Sequence, residues 1–229
     1  MNLSRNQKRK QTQRPVNVPG TEELQELLSR EIASLPFSLP EGSTARFVQF
    51  VQLLHKWNST YNLTSVRDMR QMLARHIMDS VVVHPYLQGN QVLDVGCGAG
   101  LPGIPLAIIN PDMHFTLLDS NSKKTRFVQQ AMTELQLGNI TVVTERIEYY
   151  RPENAFDTIV ARAYSAIDNL VAGIQHCVSA HSIILAMKGI YPVAELDTIP
   201  QGYHLDKVEP LQVPGMVAER HLVILKPDS

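Results

Sequence analysis

The stretch Val92-Leu93-Asp94-Val95-Gly96-Cys97-Gly98-Ala99-Gly100-Leu101-Pro102-Gly103 decides the reading of this chain. A short apolar strand runs into a glycine-dense turn, and a carboxylate sits among the strand's last residues. Twenty-five positions after Asp94, the segment His114-Phe115-Thr116-Leu117-Leu118-Asp119 reads as a second strand ending in an acid. A strand, glycine turn, helix, strand and acid in that order form a nucleoside-binding unit. The glycines let the backbone approach the ligand, and the second acid accepts hydrogen bonds from ribose hydroxyls.

A dinucleotide site would read G-x-G-x-x-G, with a pyrophosphate held at the helix N-terminus. Here the run is Gly96-x-Gly98-x-Gly100, one position short, and Pro102 and Pro105 remove amide donors from the first turns of the following helix. That weakens a pyrophosphate site and suits a ligand without phosphates, such as S-adenosylmethionine. Asp94 would then face the cofactor's ammonium and Asp119 its ribose.

Outward from this unit, the pattern divides the chain. Upstream, Leu24, Leu27, Leu28, Ile32 and Leu35 recur at helical intervals until Pro36. Phe47, Phe50, Val51, Leu54 and Trp57 do so after the candidate caps Ser43 and Thr44. A third helix is expected over 67–83, before Pro85. Downstream, strands are expected at 91–95, 114–119, 140–144, 156–161 and 182–187, with helices at 103–109, 122–136 and 167–178. Two more strands in 203–226 flank the turn Pro210–Gly215. This alternation predicts an α/β fold with a mostly parallel seven-stranded sheet and an N-terminal helical cap. The expected organisation is a basic tail (1–20), the cap (21–89) and an α/β core (90–229), with cap and core forming one structural unit.

Composition narrows the function classes. The chain has 229 residues, 44% of them hydrophobic and 19% charged, as in an ordinary soluble domain. No apolar run approaches the roughly 18 residues of a membrane span, and the N-terminus lacks a hydrophobic export segment. A cytoplasmic location is expected. Two cysteines, Cys97 and Cys177, are too few for a disulfide framework or a zinc cluster. The eight histidines lack metal-ligand spacing, so no metal is expected. The net charge of −1 gives no global attraction for nucleic acid, yet Arg5, Lys8, Arg9, Lys10 and Arg14 fall in a tail without acids. That composition predicts disorder. A phosphate-seeking arm and a plain solvated extension both remain open.

Beyond the glycine turn, the chain carries Trp57-Asn58-x-x-Tyr61-Asn62-Leu63-Thr64, Arg67-Asp68, Arg75-His76-x-x-Asp79-Ser80 and Gly100-Leu101-Pro102-Gly103-Ile104-Pro105-Leu106-Ala107. It also has Phe115–Ser120, Lys188-Gly189, Gln212-Val213-Pro214 and Glu219-Arg220-His221-Leu222-Val223. In combination, over about residues 45–226, these resemble the ribosomal RNA small subunit methyltransferase G family. The resemblance implies a class I S-adenosylmethionine-dependent methyltransferase fold (Rossmann-like). It also implies methylation of guanine N7 in 16S ribosomal RNA, at nucleotide 527 of the 530 loop. One departure is Cys97, where the family more often has Thr. The family's cofactor site, carried onto matching positions, implicates Gly96, Leu101, Ile147, Glu148 and Arg162. Gly98 and Gly100 belong to the same turn. Ile147 can cover an adenine face, while Glu148 read alone is an ordinary surface acid.

Guanine N7 has an in-plane lone pair and no proton, so attack on a sulfonium methyl needs no general base. No catalytic dyad is expected. Amino-group methylation would, by resemblance to other nucleic-acid methyltransferases, call for an Asn/Asp-Pro-Pro-aromatic motif where this chain has Ala161-Arg162-Ala163-Tyr164. Cys177 reads as core, and Cys97 belongs to the turn, so neither suits nucleophilic attack. The product ring becomes cationic, so cations should contact phosphates or the O6 edge rather than N7. Arg162 and Lys188, ending buried strands at the ligand edge, are the expected positioning residues; Arg162 pairing structurally with Asp94 or Asp119 is the alternative. Arg75, His76, Arg126 and Lys188 are the expected RNA contacts. Lys123 and Lys124 read equally well as a solvated helix face. Trp57 and Tyr61 suit cap packing better than base stacking. The expected partner is 16S ribosomal RNA or the small subunit, bound by a monomer. A small-molecule methyltransferase, a non-catalytic ribosome-assembly factor and, more remotely, a dehydrogenase are the competing readings.

Overall fold

In the computed structural model, which describes residues 18–228, the strand order places Gly96 where the sheet changes direction. The strands are β1 (Gln91–Val95), β2 (His114–Leu118), β3 (Ile140–Val143), β4 (Thr158–Arg162), β5 (Ile183–Lys188), β6 (Tyr203–Pro210) and β7 (His221–Pro227). They lie in the order β3-β2-β1-β4-β5-β7-β6. β1 pairs in parallel with β2 on one side and β4 on the other, with Asp94 opposite Leu117 and Val160. The chain winds outward from β1 through β2 to β3, then returns to start β4. Ligands bind at such a switch point, outside the carboxyl ends of the strands.

β7 runs antiparallel between β5 and β6. Its first residue, His221, therefore pairs with the last residue of β5, Lys188. The start of β7 thus reaches the same edge as the ends of the parallel strands. The connection between β6 and β7 spans 211–220, longer than the expected turn at Pro210–Gly215.

Side-chain alternation assigns the two faces of the sheet. Val92, Val160, Leu185 and Met187 face one core, shared with the N-terminal helices. Leu93, Val95, Ile159, Ala161, Ile184 and Ala186 face the other. The first core packs α1 (Thr21–Ile32), α2 (Ser43–Tyr61), α5 (Gly103–Ile109) and α6 (Ser122–Glu134), through buried residues such as Leu24, Phe47, Ile104 and Phe127. The second packs α7 (Ile167–Ile174).

Helix boundaries differ from the sequence expectation for local reasons. The third helix starts at Met69, because the Asp68 side chain accepts the Arg70 amide at 2.7 Å. It runs as α3 (Met69–Met72), a π-helical stretch Leu73–Met78 and α4 (Asp79–Val81). Neither Ser43 nor Thr44 caps α2. Gly42, at φ 80°, holds the cap position, and the Ser43 hydroxyl donates back to the Pro40 carbonyl at 2.7 Å. The helix expected over 167–178 ends at Ile174, continuing as a 3-10 turn through Cys177. A short α8 (Val193–Leu196) follows β5. The basic tail residues Arg5 to Arg14 lie outside the described residues.

Candidate active site

The glycine turn after β1 is held by the strand beside it. Gly96 and Cys97 both donate their amides to the Leu118 carbonyl, at 2.8 and 3.0 Å. Gly98 donates to Asp119 Oδ2 at 3.0 Å, and Asn121 donates to Asp119 Oδ1 at 2.8 Å. Gly96 sits at φ 71°, a conformation that favours glycine, and a Cβ there would lie 2.9 Å from the Tyr164 ring. Around the turn opens a cleft of about 310 Å³, lined by Gly96, Asp119, Lys124, Ile147, Glu148 and Tyr164 among others. Asp119 keeps lone pairs beyond its two backbone bonds and can accept ribose hydroxyls. Ile147 is buried and apolar, with the exposed Glu148 beside it. That pair suits the face and edge of a purine.

Asp94 lies beneath the turn rather than in the cleft wall. It is fully buried; Oδ2 accepts the Gly103 amide at 2.8 Å, and Oδ1 has no hydrogen-bond partner among the described residues. Burial raises its carboxyl to about 7. The Gly103 bond also decides the ligand class. Ile104 donates to Gly100 and Leu106 to Pro102, while residue 105 is proline and has no amide proton. The first turn of α5 therefore has no spare donor for a pyrophosphate. A buried acid with one free oxygen, beside a helix start without spare phosphate donors, fits a cationic, phosphate-free nucleoside. S-adenosylmethionine has that chemistry.

Beyond β4, Ala163 adopts a left-handed conformation at φ 52°, which costs a residue with a Cβ about 1–2 kcal/mol. Such an outlier marks a place where geometry matters more than local comfort. Ala163 lines both the first cleft and a second one of about 500 Å³. The second cleft is formed by Thr64, Arg75, His76, Asp79, Arg162, Lys188 and Arg220 with their neighbours.

Charge is arranged asymmetrically here. Arg162 shares the sheet face of Val160, which the N-terminal helices cover, and so meets Asp79 of α4 at 3.1 Å. This corrects the alternative that paired Arg162 with Asp94 or Asp119. Arg220 Nε donates to the other oxygen of Asp79 at 2.8 Å. Lys188 Nζ donates to Glu195 at 2.7 Å, and Glu195 also accepts the Ile167 amide at 2.8 Å. Arg75 is exposed at the rim. His76, expected as an RNA contact, is turned inward at the cleft wall. It is buried, Nδ1 meets the Arg75 carbonyl at 2.9 Å and Nε2 the Thr64 hydroxyl at 2.9 Å. Burial, then the nearby Arg162, lowers it to about 4, so the ring is neutral at pH 7.

Of the residues singled out in the sequence, Gly96, Asp119, Ile147 and Glu148 line the first cleft, and Arg75, His76, Arg162 and Lys188 the second. Asp94, Gly98, Gly100 and Leu101 build the turn behind the first cleft. Arg126 lies on the exposed face of α6 and lines neither. Trp57 packs on Phe127 of α6, ring centroids 5.7 Å apart. Cys97 and Cys177 are buried, and burial raises both thiols, Cys177 to about 11. Neither is a poised nucleophile.

The sequence reading assigned no role to Asp79, Arg220, Tyr164 or Ala163. Asp79 was open to detection, as a carboxylate within the apolar run Ile77-Met78-x-Ser80-Val81-Val82-Val83. Arg220 becomes a site residue only through the antiparallel pairing of β7.

Three comparisons give the geometry its relatives. The family model for rRNA small subunit methyltransferase G (GidB) matches residues 43–223. Curated ribosomal RNA small subunit methyltransferase G proteins of Salmonella typhimurium and Salmonella typhi are 48% identical over 199 residues, 87% of this chain and 96% of theirs. Among solved structures, the glycopeptide N-methyltransferase MtfA, complexed with S-adenosyl-L-homocysteine, is similar with a TM-score of 0.58. It is 11% identical, over 68% of this chain and 88% of that one. Magnesium protoporphyrin IX methyltransferase from Synechocystis, with bound S-adenosylmethionine, has a TM-score of 0.54 at 18% identity, over 78% and 97%. These likenesses establish the class I methyltransferase fold expected from the sequence. The family match and the curated relatives go further: the chain belongs to the rRNA small subunit methyltransferase G family.

Proposed function

We propose that this protein transfers a methyl group from S-adenosylmethionine to N7 of a guanine in 16S ribosomal RNA, at the nucleotide 527 position of the 530 loop. It does so as a monomer, with the N-terminal helices and the α/β core acting as one unit. The observation that carries the reading is the meeting of two clefts at Ala163. One is built for a phosphate-free nucleoside, and the other is lined with arginines and a lysine.

S-adenosylmethionine, when bound, supplies the electrophilic methyl. Asp119 is the acceptor for ribose hydroxyls, Ile147 and Glu148 flank the adenine, and the turn at 96–100 lies along the methionine end. Asp94, from beneath, favours the positive charge. On the other side of Ala163, Arg162, Lys188, Arg75 and Arg220 meet the RNA. No side chain has to remove a proton, because N7 carries a lone pair and no hydrogen. The protein's work is alignment, which supplies on the order of 7–11 kcal/mol when both reactants are held in line. Lys188 and the two arginines on Asp79 are partly neutralised by their acids, so they stabilise RNA phosphates without placing bare charge against a ring that becomes cationic.

The test is transfer of a labelled methyl from S-adenosylmethionine to isolated small subunits, to their RNA and to a small-metabolite extract, followed by analysis of the labelled products. Label in 7-methylguanosine supports the reading. Label only in free metabolites supports a small-molecule enzyme, and tight donor binding with no transfer supports a non-catalytic assembly factor.

A further inference from the structure

Asp79 joins two cations from distant parts of the chain. Its side chain is 5% exposed, while those of Arg162 and Arg220 retain 19% and 25% exposure and line the second cleft. Arg162 Nη1 donates to Asp79 Oδ2 and to the Arg75 carbonyl, both at 3.1 Å. Arg220 Nε donates to Asp79 Oδ1 at 2.8 Å, and its Nη1 to the Glu219 carbonyl at 2.7 Å. A guanidinium has five N–H donors, so each arginine keeps donors unengaged among the described residues. One carboxylate against two guanidiniums also leaves a positive surplus. Lys188 has its own acid, Glu195, at 2.7 Å, and so is separate from this cluster.

We infer that Asp79 is a positioning residue for the RNA: by tethering Arg162 and Arg220 to one buried carboxylate, it presents their remaining N–H donors as a seat for a backbone phosphate beside the methylated guanine. The inference rests on the RNA methylation proposed above. Planar guanidinium forks match phosphate oxygens bidentately, which fixes register as well as attraction. Tethering also keeps both arginines off the guanine ring, where their charge would oppose the positive product. Both side chains are long and rotamer-rich, and holding them in advance removes ordering that binding would otherwise require.

Asp79→Asn distinguishes positioning from simple charge, because the two predict opposite signs. The change makes the cleft one unit more positive, so attraction alone would tighten RNA binding. Positioning predicts weaker binding of small-subunit RNA and a fall of tenfold or more in kcat/KM, mostly in the KM for RNA, with S-adenosylmethionine affinity within twofold of wild type. Tighter or unchanged RNA binding overturns the inference, and so does an equal loss of RNA and donor binding by a folded variant. If Asp79→Asn does not fold, Arg220→Lys decides. It keeps the charge and loses the fork, and an unchanged kcat/KM on RNA overturns the seat. Wild-type protein that binds RNA without methylating guanine refutes the reaction instead, and the seat is then judged by RNA affinity alone.

Discussion

The ring of Tyr164 occupies the space a side chain at Gly96 would need: a Cβ at position 96 would lie 2.9 Å from Tyr164 Cδ2. The turn after β1 and the turn after β4 are therefore fitted to each other at the mouth of the first cleft. Gly96→Val adds a branched side chain at φ 71° and forces Tyr164 aside. The expected outcome is a loss of S-adenosylmethionine affinity of a hundredfold or more by calorimetry. Unchanged affinity would remove Gly96 from the donor site.

Asp94 makes donor binding depend on pH. Its carboxyl, raised to about 7 by burial, is largely protonated at pH 6. A cation bound above the turn favours the carboxylate, so binding releases a proton below about pH 7 and affinity rises between pH 6 and 8. Asp94→Asn should flatten that dependence, as read by titration in buffers of different ionisation enthalpy. Stability moves the other way. Between pH 4 and 7 the folded state binds a proton that the unfolded chain does not, so this group's contribution falls as pH rises, by up to roughly 4 kcal/mol. Glu31, also raised to about 7 by burial, acts with the same sign. His76, lowered to about 4, acts oppositely and costs stability as pH falls from 6.5. Chemical denaturation of wild type and Asp94→Asn at pH 5 and 8 measures the difference. Wild-type stability measured relative to Asp94→Asn should fall between pH 5 and pH 8; no fall contradicts the raised carboxyl.

Lys188→Ala separates the two clefts. Its partner Glu195 keeps the Ile167 amide, but the pair is largely buried, so the variant loses stability and its fold is checked by urea denaturation before activity is compared. Methylation of small-subunit RNA should drop about tenfold in kcat/KM while donor affinity stays within twofold. An equal loss of both would place Lys188 in the donor site.

Trp57 tests packing against stacking. Its ring bridges α2 to Phe127 of α6, so Trp57→Ala should cost about 2–4 kcal/mol in urea denaturation, without a selective effect on RNA turnover. A variant of nearly native stability with turnover down a hundredfold would make Trp57 a base contact.

Most of the frame was readable because its signals are local. The turn at Gly96–Gly100 and the acids Asp94 and Asp119 follow from strand-then-glycine spacing, and the sheet follows from alternation. The seven strands, their edge and the glycine turn with Asp119 are legible this way, whereas Ile147 and Glu148 of the first cleft come only from the family resemblance. Of the second cleft, Arg75, His76, Arg162 and Lys188 are legible in the sequence, but the acid that joins its arginines is not, because that contact spans the whole chain. Asp79 and Arg220 are separated by 141 positions, and only the reversed direction of β7 brings them together. His76 reads as an RNA contact because sequence does not show that both its ring nitrogens are taken up inside the protein, by Thr64 and the Arg75 carbonyl. The caps of α2 failed for a similar reason, since Ser43 spends its hydroxyl on Pro40 rather than on the helix.

Methyl transfer to an unprotonated ring nitrogen leaves a chemical signature in the RNA. N7-methylation leaves guanosine open to borohydride reduction and aniline cleavage of the RNA strand, a chemistry that methylation of amino groups or ribose does not share. Small-subunit RNA treated with this protein and S-adenosylmethionine should show one new scission at the 530 loop. Incorporated methyl with no aniline-sensitive break would contradict the account.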